Sequence, residues 1–259
     1  MTRETFLVTG ASSGIGAVYA DRLAARGHDL VLVARSAGKL AELAERLRAA
    51  HGVAVDVIAA DLAAPDDLGR VEARLRDDAT IIGLVNNAGV AGEGPLLGAD
   101  PAVISAMIAL NVTAVTRLAA AIAPRLAERG AGTIVNLTSV TALMPDAFTA
   151  VYPATKAFVL AFSEAIAKEL GAKGVRVQAV LPGITRTAIW DEASLARIPE
   201  AMVMEVEAMV DAGLAGLDLG ETITIPSLPD AADLEAHLEA RARLQPNLSH
   251  RTPAARYLR

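Results

Sequence analysis

Few backbone arrangements can accommodate the stretch Phe6-Leu-Val-Thr-Gly-Ala-Ser-Ser-Gly-Ile-Gly16, in which an apolar run breaks into three spaced glycines and then resumes as a helix. That order reads as a strand, a tight turn and a helix N-terminus, where backbone N–H groups and the helix dipole face an anion such as a pyrophosphate. Gly10 supplies a turn conformation that other residues resist, Gly14 leaves room for a phosphate, and Gly16 lets helix and strand pack closely. Ser12, Ser13 and Ile15 lie between these glycines and complete the candidate cradle. A glycine-rich turn is often only a turn, so its meaning depends on the rest of the chain.

Beyond the turn, strands and helices alternate regularly. Ile15 to Arg26 reads as a helix ended by Gly27, and Asp29-Leu-Val-Leu-Val-Ala34 is an almost wholly apolar strand that needs cover on both faces. Leu40, Leu43 and Leu47 keep helical spacing, His51-Gly52 closes that helix, and Val53 to Ala60 supplies a third strand. Pro65 to Asp77 is a polar-faced helix, and Ile81 to Asn86 a fourth strand. A loop over Gly92 to Pro101 leads into a long helix to about Arg129 with Asn111 embedded in it. Thr133 to Ser139, the helix Tyr152 to Leu170 and Val175 to Leu181 continue the series. The alternation predicts an α/β fold, a doubly wound parallel sheet with helices on both faces and ligands at the carboxyl ends of the strands.

Composition bounds the function. With 259 residues, 53% of them apolar, and no Gly/Ser- or Pro-rich linker, a single domain over 1–259 is expected. A net charge of −6 argues against nucleic acid or an anionic membrane as partner, and no uncharged run reaches the roughly 18 residues of a membrane span. The absence of cysteine excludes disulfides and thiolate metal sites, and the four scattered histidines offer no metal cluster. Met1-Thr-Arg-Glu passes straight into the first strand without room for a signal peptide, so a cytoplasmic location is expected.

Tyr152 and Lys156 carry the chemistry that can be read without further help. Four residues apart on one helix, they share a face, and an ammonium beside a phenol favours phenolate, moving it toward proton transfer near neutrality. Ser139, leaving the end of the neighbouring strand, is placed to hydrogen-bond a carbonyl oxygen.

These residues, with Thr9-Gly-x-x-x-Gly-x-Gly16, Asn86-Asn-Ala-Gly89, Asn111 and Pro182-Gly183 in the same order, resemble the compact branch of the short-chain dehydrogenase/reductase family over about residues 4 to 190. The resemblance implies an oxidoreductase that moves a hydride between a nicotinamide cofactor and a carbonyl or alcohol carbon. It assigns Tyr152 as proton donor and acceptor, Ser139 to the substrate oxygen, Lys156 to the nicotinamide ribose and the phenol, and Asn111 to a water on the proton path. It further implies adenine contacts at Asp61 and Leu62, a segment Asn87, Ala88 and Gly89 along the adenosine ribose, and a nicotinamide side at Pro182, Gly183, Ile184, Thr185 and Thr187. A dinucleotide-binding sensor without turnover is the alternative, which has no need of a proton donor. Epimerase chemistry usually comes with a larger substrate domain.

Cofactor choice rests on the end of the second strand, Val33-Ala34-Arg35-Ser36, where no acid lies between Asp29 and Glu42. An acid there serves a free ribose hydroxyl, whereas Arg35 can pair with a 2′-phosphate, so NADP(H) is expected over NAD(H). Ser13 stands where many NADP-using relatives carry a second basic residue. Residues 187–216, with Trp190, Ile198, Met202, Met204 and Met209, fall at the family's variable substrate loop and are expected to form an apolar lid for a small apolar carbonyl or alcohol substrate. Glu221 to Pro226 reads as a seventh, edge strand, and Asp230 to Leu244 as a helix ahead of a polar tail, together a C-terminal extension over 230–259. Many relatives end instead in a glycine-rich segment used in a tetramer contact. The apolar Phe158-Val-Leu-Ala-Phe162 still points to a homodimer or homotetramer.

Overall fold

A computed structural model describes residues 3–91, 95–147, 150–187 and 195–258. It contains a seven-stranded parallel sheet in the order β3-β2-β1-β4-β5-β6-β7. The strands are β1 (Thr5–Thr9), β2 (Asp29–Ala34), β3 (Val55–Ala59), β4 (Ile81–Asn86), β5 (Gly132–Leu137), β6 (Val175–Val180) and β7 (Ile223–Thr224). Among the described residues the α-helices with given limits are α1 (Gly14–Ala25), α2 (Ala37–His51), α3 (Pro65–Asp77), α4 (Pro101–Ile108), α5 (Val115–Arg129), α6 (Val151–Gly171), α7 (Val206–Asp218) and α8 (Ala231–Ala242). The order reverses between β1 and β4, and that crevice is where a doubly wound sheet takes its ligand.

Alternation along the strands divides the core. Leu30, Leu32 and Ala34 of β2 face α1, α2 and α7, while Val31 and Val33 face α3, α5 and α6. The helical stretch Pro101–Arg129 is apolar and long enough to cross a membrane by length and composition, at mean hydropathy 1.7. Here its inner side is taken up by the core, through Ala114, Leu118, Ile122 and Leu126.

By contacts the chain divides into two units, Met1–Pro226 and Ser227–Arg259. The first holds the sheet. The second is α8, capped at its start by the Asp230 carboxylate on the Ala232 N–H, with two 3₁₀ turns after it at Gln245–Asn247 and Ala255–Tyr257.

The predicted lid differs in its second half. Met209 is fully buried on α7 against the sheet, and Met204 packs partly against the same core. Met204 also ties the segment to the sheet end by exchanging backbone bonds with Ile184 and Arg186, both 2.9 Å. Met202 stays exposed on a 3₁₀ turn, whereas Trp190 lies outside the described residues. The seventh strand is at the edge as expected but keeps only Ile223 and Thr224.

One hydroxyl locks the crevice. Thr9 Oγ1 accepts from the N–H groups of Asn87 (2.9 Å) and Ala88 (3.0 Å) and donates to Val85 O (3.3 Å). Thr9→Val keeps the shape and strips these bonds from the ends of β1 and β4. It is expected to destabilise the fold by about 1–3 kcal/mol in urea unfolding; an unchanged midpoint would show the latch to be idle.

Candidate active site

The glycine turn is built as its sequence suggests. Gly10 takes φ +65°, which a side chain would strain, and a Cβ on Gly16 would strike Gly10 O and reach within 2.5 Å of Asn87 Nδ2. Ser13, at the N-cap of α1, makes no side-chain capping bond. A helix start of this kind offers its N–H groups to an anion. A Cβ on Gly14 would meet only Thr187, at 3.5 Å, so Thr187 stands against the turn on its other side. Asn87 is turned toward the turn itself, its Nδ2 donating to Thr9 O (2.9 Å) and Gly10 O (3.3 Å). Its side chain therefore shapes the cradle, and the segment presents Ala88 and Gly89 beyond it.

Arg35 is exposed at the end of β2. Beside the turn, Ser12, Ser13, Ala17, Lys39, Glu42, Leu43 and Arg46 line an open groove of about 480 Å³. Lys39 and Arg46 bring cationic donors to this groove and Glu42 one carboxylate, a net positive set that fits a phosphate group. Both were missed in the sequence, although their spacing of seven puts them on one face of α2. Asp61 is exposed and accepts from Ala63 N at 3.0 Å, but Leu62 is buried in the core, leaving only its backbone for an adenine.

Lys156, Tyr152 and Ser139 come together at the carboxyl end of β5. Lys156 is 6% exposed, its Nζ donates to Leu137 O at 3.0 Å, and it lies 5.7 Å from the centroid of the Tyr152 ring. Tyr152 and Ser139 share a hydrogen bond. Ser139 Oγ also accepts from Thr141 N at 3.2 Å. Burial raises the Tyr152 phenol above the ordinary tyrosine value, and the bond with Ser139 pulls it back only in part. Burial therefore works against the bias toward phenolate that the Tyr152–Lys156 pairing suggests. Burial brings Lys156 down to about 8.

Asn111 sits on a π-helical turn, Ala109–Ala114, between α4 and α5, a local widening that re-aims a side chain. Its Oδ1 accepts from Val90 N (2.9 Å), and its Nδ2 donates to Val90 O (2.8 Å) and Thr155 Oγ1 (3.1 Å). One Oδ1 lone pair is left over. A Cβ on Gly89 would fill the space between Asn111 Oδ1, at 3.2 Å, and Lys156 Nζ, at 3.5 Å. Helix α6 is held to the sheet by a buried polar line that sequence reading also missed. Asn86 Nδ2 donates to Asn136 Oδ1, and Asn136 Nδ2 to Ser163 Oγ, each at 2.9 Å. Thr138 Oγ1 donates to Lys156 O at 2.7 Å.

The family model described as short chain dehydrogenase matches residues 4–197. Among curated proteins, the very-long-chain 3-oxoacyl-CoA reductase of Bos taurus is 34% identical over 211 residues, covering 77% of this chain and 66% of that enzyme's length. The short-chain dehydrogenase from Sphingobium yanoikuyae, solved in complex with NADPH, is 50% identical at a TM-score of 0.95, over 98% of this chain and 99% of that one. The bulky-bulky ketone specific alcohol dehydrogenase from Comamonas testosteroni is 46% identical at a TM-score of 0.93, with all of both chains covered.

The buried ammonium has a consequence for stability. The unfolded chain keeps the Lys156 proton up to its ordinary value of 10.5, whereas the folded chain releases it near about 8. Between those limits unfolding takes up a proton, so this group makes stability rise with pH. Lys156→Met removes the effect. In urea unfolding across that window, the advantage of Lys156→Met over the parent is expected to be largest at neutral pH and to shrink as pH rises; an advantage that grows with pH contradicts the burial.

Proposed function

The chain belongs to the short chain dehydrogenase family, and within it we propose an NADP(H)-dependent oxidoreductase that interconverts ketones bearing bulky apolar groups with their secondary alcohols. The observation that carries this reading is the meeting of Ser139, Tyr152 and buried Lys156 at one strand end. A sensor without turnover would have no use for a desolvated proton donor. In reduction, the Ser139 hydroxyl and the Tyr152 phenol hold the carbonyl oxygen, and Tyr152 delivers its proton there. The phenolate left behind lies under the field of the Lys156 ammonium, which lowers its cost in a low-dielectric setting. Asn111 keeps the Val90 backbone and the start of α6 in register, with its spare Oδ1 lone pair available to a water. A bound nicotinamide supplies or takes up the hydride at the carbon.

NADP(H) is favoured by Arg35 with Lys39 and Arg46, by the missing acid at the end of β2, and by the NADPH held in the Sphingobium relative. An apolar substrate body is favoured by Leu143 and Met144, exposed four and five residues after Ser139, and by the ketones named for the Comamonas relative. Acyl thioesters, the substrates named for the bovine relative, form the competing class. A homo-oligomer in a reducing cytoplasm fits the cysteine-free, acidic chain.

Two measurements test this reading. With a bulky aryl ketone, Tyr152→Phe is expected to lower kcat by about 10²–10⁴-fold with little change in NADPH affinity; ordinary turnover would remove Tyr152 from the chemistry. In fluorescence titration NADPH is expected to bind tighter than NADH, with the gap narrowed in Lys39→Ala; tighter NADH binding contradicts the cofactor assignment.

A further inference from the structure

One buried hydroxyl next to Lys156 has no part in the chemistry described so far. A threonine inside a helix commonly folds its hydroxyl back on a carbonyl of the preceding turn, and Thr155 does so, donating to Tyr152 O at 2.7 Å. That bond alone would be ordinary. Thr155 is, however, only 4% exposed, and its Oγ1 also accepts from Asn111 Nδ2 at 3.1 Å, a bond that joins the π-helical turn to α6. The residue whose carbonyl it holds is the one whose phenol bonds Ser139.

The direction of these bonds sets the polarity of the Asn111 amide. A hydroxyl has one proton, and here it is spent on Tyr152 O, so Thr155 presents a lone pair to Asn111. Only an N–H suits that lone pair. The amide therefore turns Nδ2 toward Thr155 and Val90 O, and Oδ1 toward Val90 N. Turned over, it would set oxygen against oxygen at both Thr155 and Val90 O. In the orientation held, Oδ1 faces Lys156 Nζ across the space beside Gly89, where a Cβ would stand 3.2 Å from the one and 3.5 Å from the other. We propose that Thr155 is a positioning residue for proton transfer: its hydroxyl fixes which end of the Asn111 amide meets Lys156 and ties that amide to the turn carrying the Tyr152 phenol. The inference rests on the oxidoreductase reading above and adds a residue to it.

Steady-state kinetics with NADPH and a bulky aryl ketone test it, with circular dichroism verifying that each variant is folded. Thr155→Val keeps the shape and removes the hydroxyl, and it is expected to lower kcat by about tenfold to a hundredfold with the ketone KM and NADPH affinity little changed. Thr155→Ser keeps the hydroxyl and is expected to restore most of the parent's kcat. If Thr155→Val does not fold, Thr155→Ala takes its place, and the contrast with Thr155→Ser again isolates the hydroxyl. Because Thr155 acts through Asn111, the double variant Asn111→Ala/Thr155→Val is expected to be no slower than Asn111→Ala alone. A parent-like kcat without the hydroxyl, a Thr155→Ser as impaired as the hydroxyl-free variant, or losses that multiply in the double variant each overturn the proposal. Parent-like turnover in Thr155→Val beside an inactive Tyr152→Phe removes only the role of Thr155, whereas an active Tyr152→Phe removes the reading beneath it.

Discussion

Burying the Lys156 ammonium is the constraint around which the site is arranged. Taking a charge out of water costs several kcal/mol, on the order of what a whole domain can spare, so the fold must return something for it. Among the described residues, what the charge receives directly is one backbone acceptor, Leu137 O, and the face of the Tyr152 ring. A hydrophobic side chain would serve packing better in the same place. The position makes sense under the proposed function, in which the cation sits beside a phenol that gives up its proton and gains negative charge.

Much of the surrounding structure exists to hold that cation and phenol still. The line Asn86–Asn136–Ser163 crosses from β4 through β5 into α6, and Thr138 fastens the Lys156 carbonyl to the sheet end. Asn111 fastens the other side, binding the strand of backbone at Val90 to Thr155 one turn into α6. On the far side of the crevice, Thr9 and Asn87 fix the glycine turn to the end of β4. Buried polar groups of this kind are costly unless each is paired, and here pairing draws two halves of one crevice toward each other.

The fold was legible because burial on both faces leaves a strong pattern. β2, α3 and β4 have the limits read from their apolar runs and flanking turn residues. The edge strand was overdrawn because its polar side chains turn inward at the end: Thr224 Oγ1 binds Glu221 Oε2 and receives Gln178 Nε2, and Pro226 has no N–H to give. Within the site, residue types with unusual chemistry were visible, while the direction of a side chain was not. Asn87 serves the turn, Leu62 is core, and Met209 packs the sheet, because each choice depends on neighbours far away in sequence. The π turn around Asn111 carries no residue signature in a helix of ordinary helix formers, and Lys39 looks like any exposed helix lysine until α2 is placed beside Ser12 and Ser13.

The most direct test of why Lys156 is buried is a single-turnover experiment with NADPH deuterated at the reactive carbon and a bulky aryl ketone, read by mass spectrometry for the parent and Lys156→Met. The account predicts one deuterium on the carbinol carbon of the alcohol from the parent, and none on that timescale from the variant, although the variant is at least as stable at neutral pH. Equal deuterium transfer by both would show that the buried charge takes no part in the chemistry, and would contradict the account at its centre.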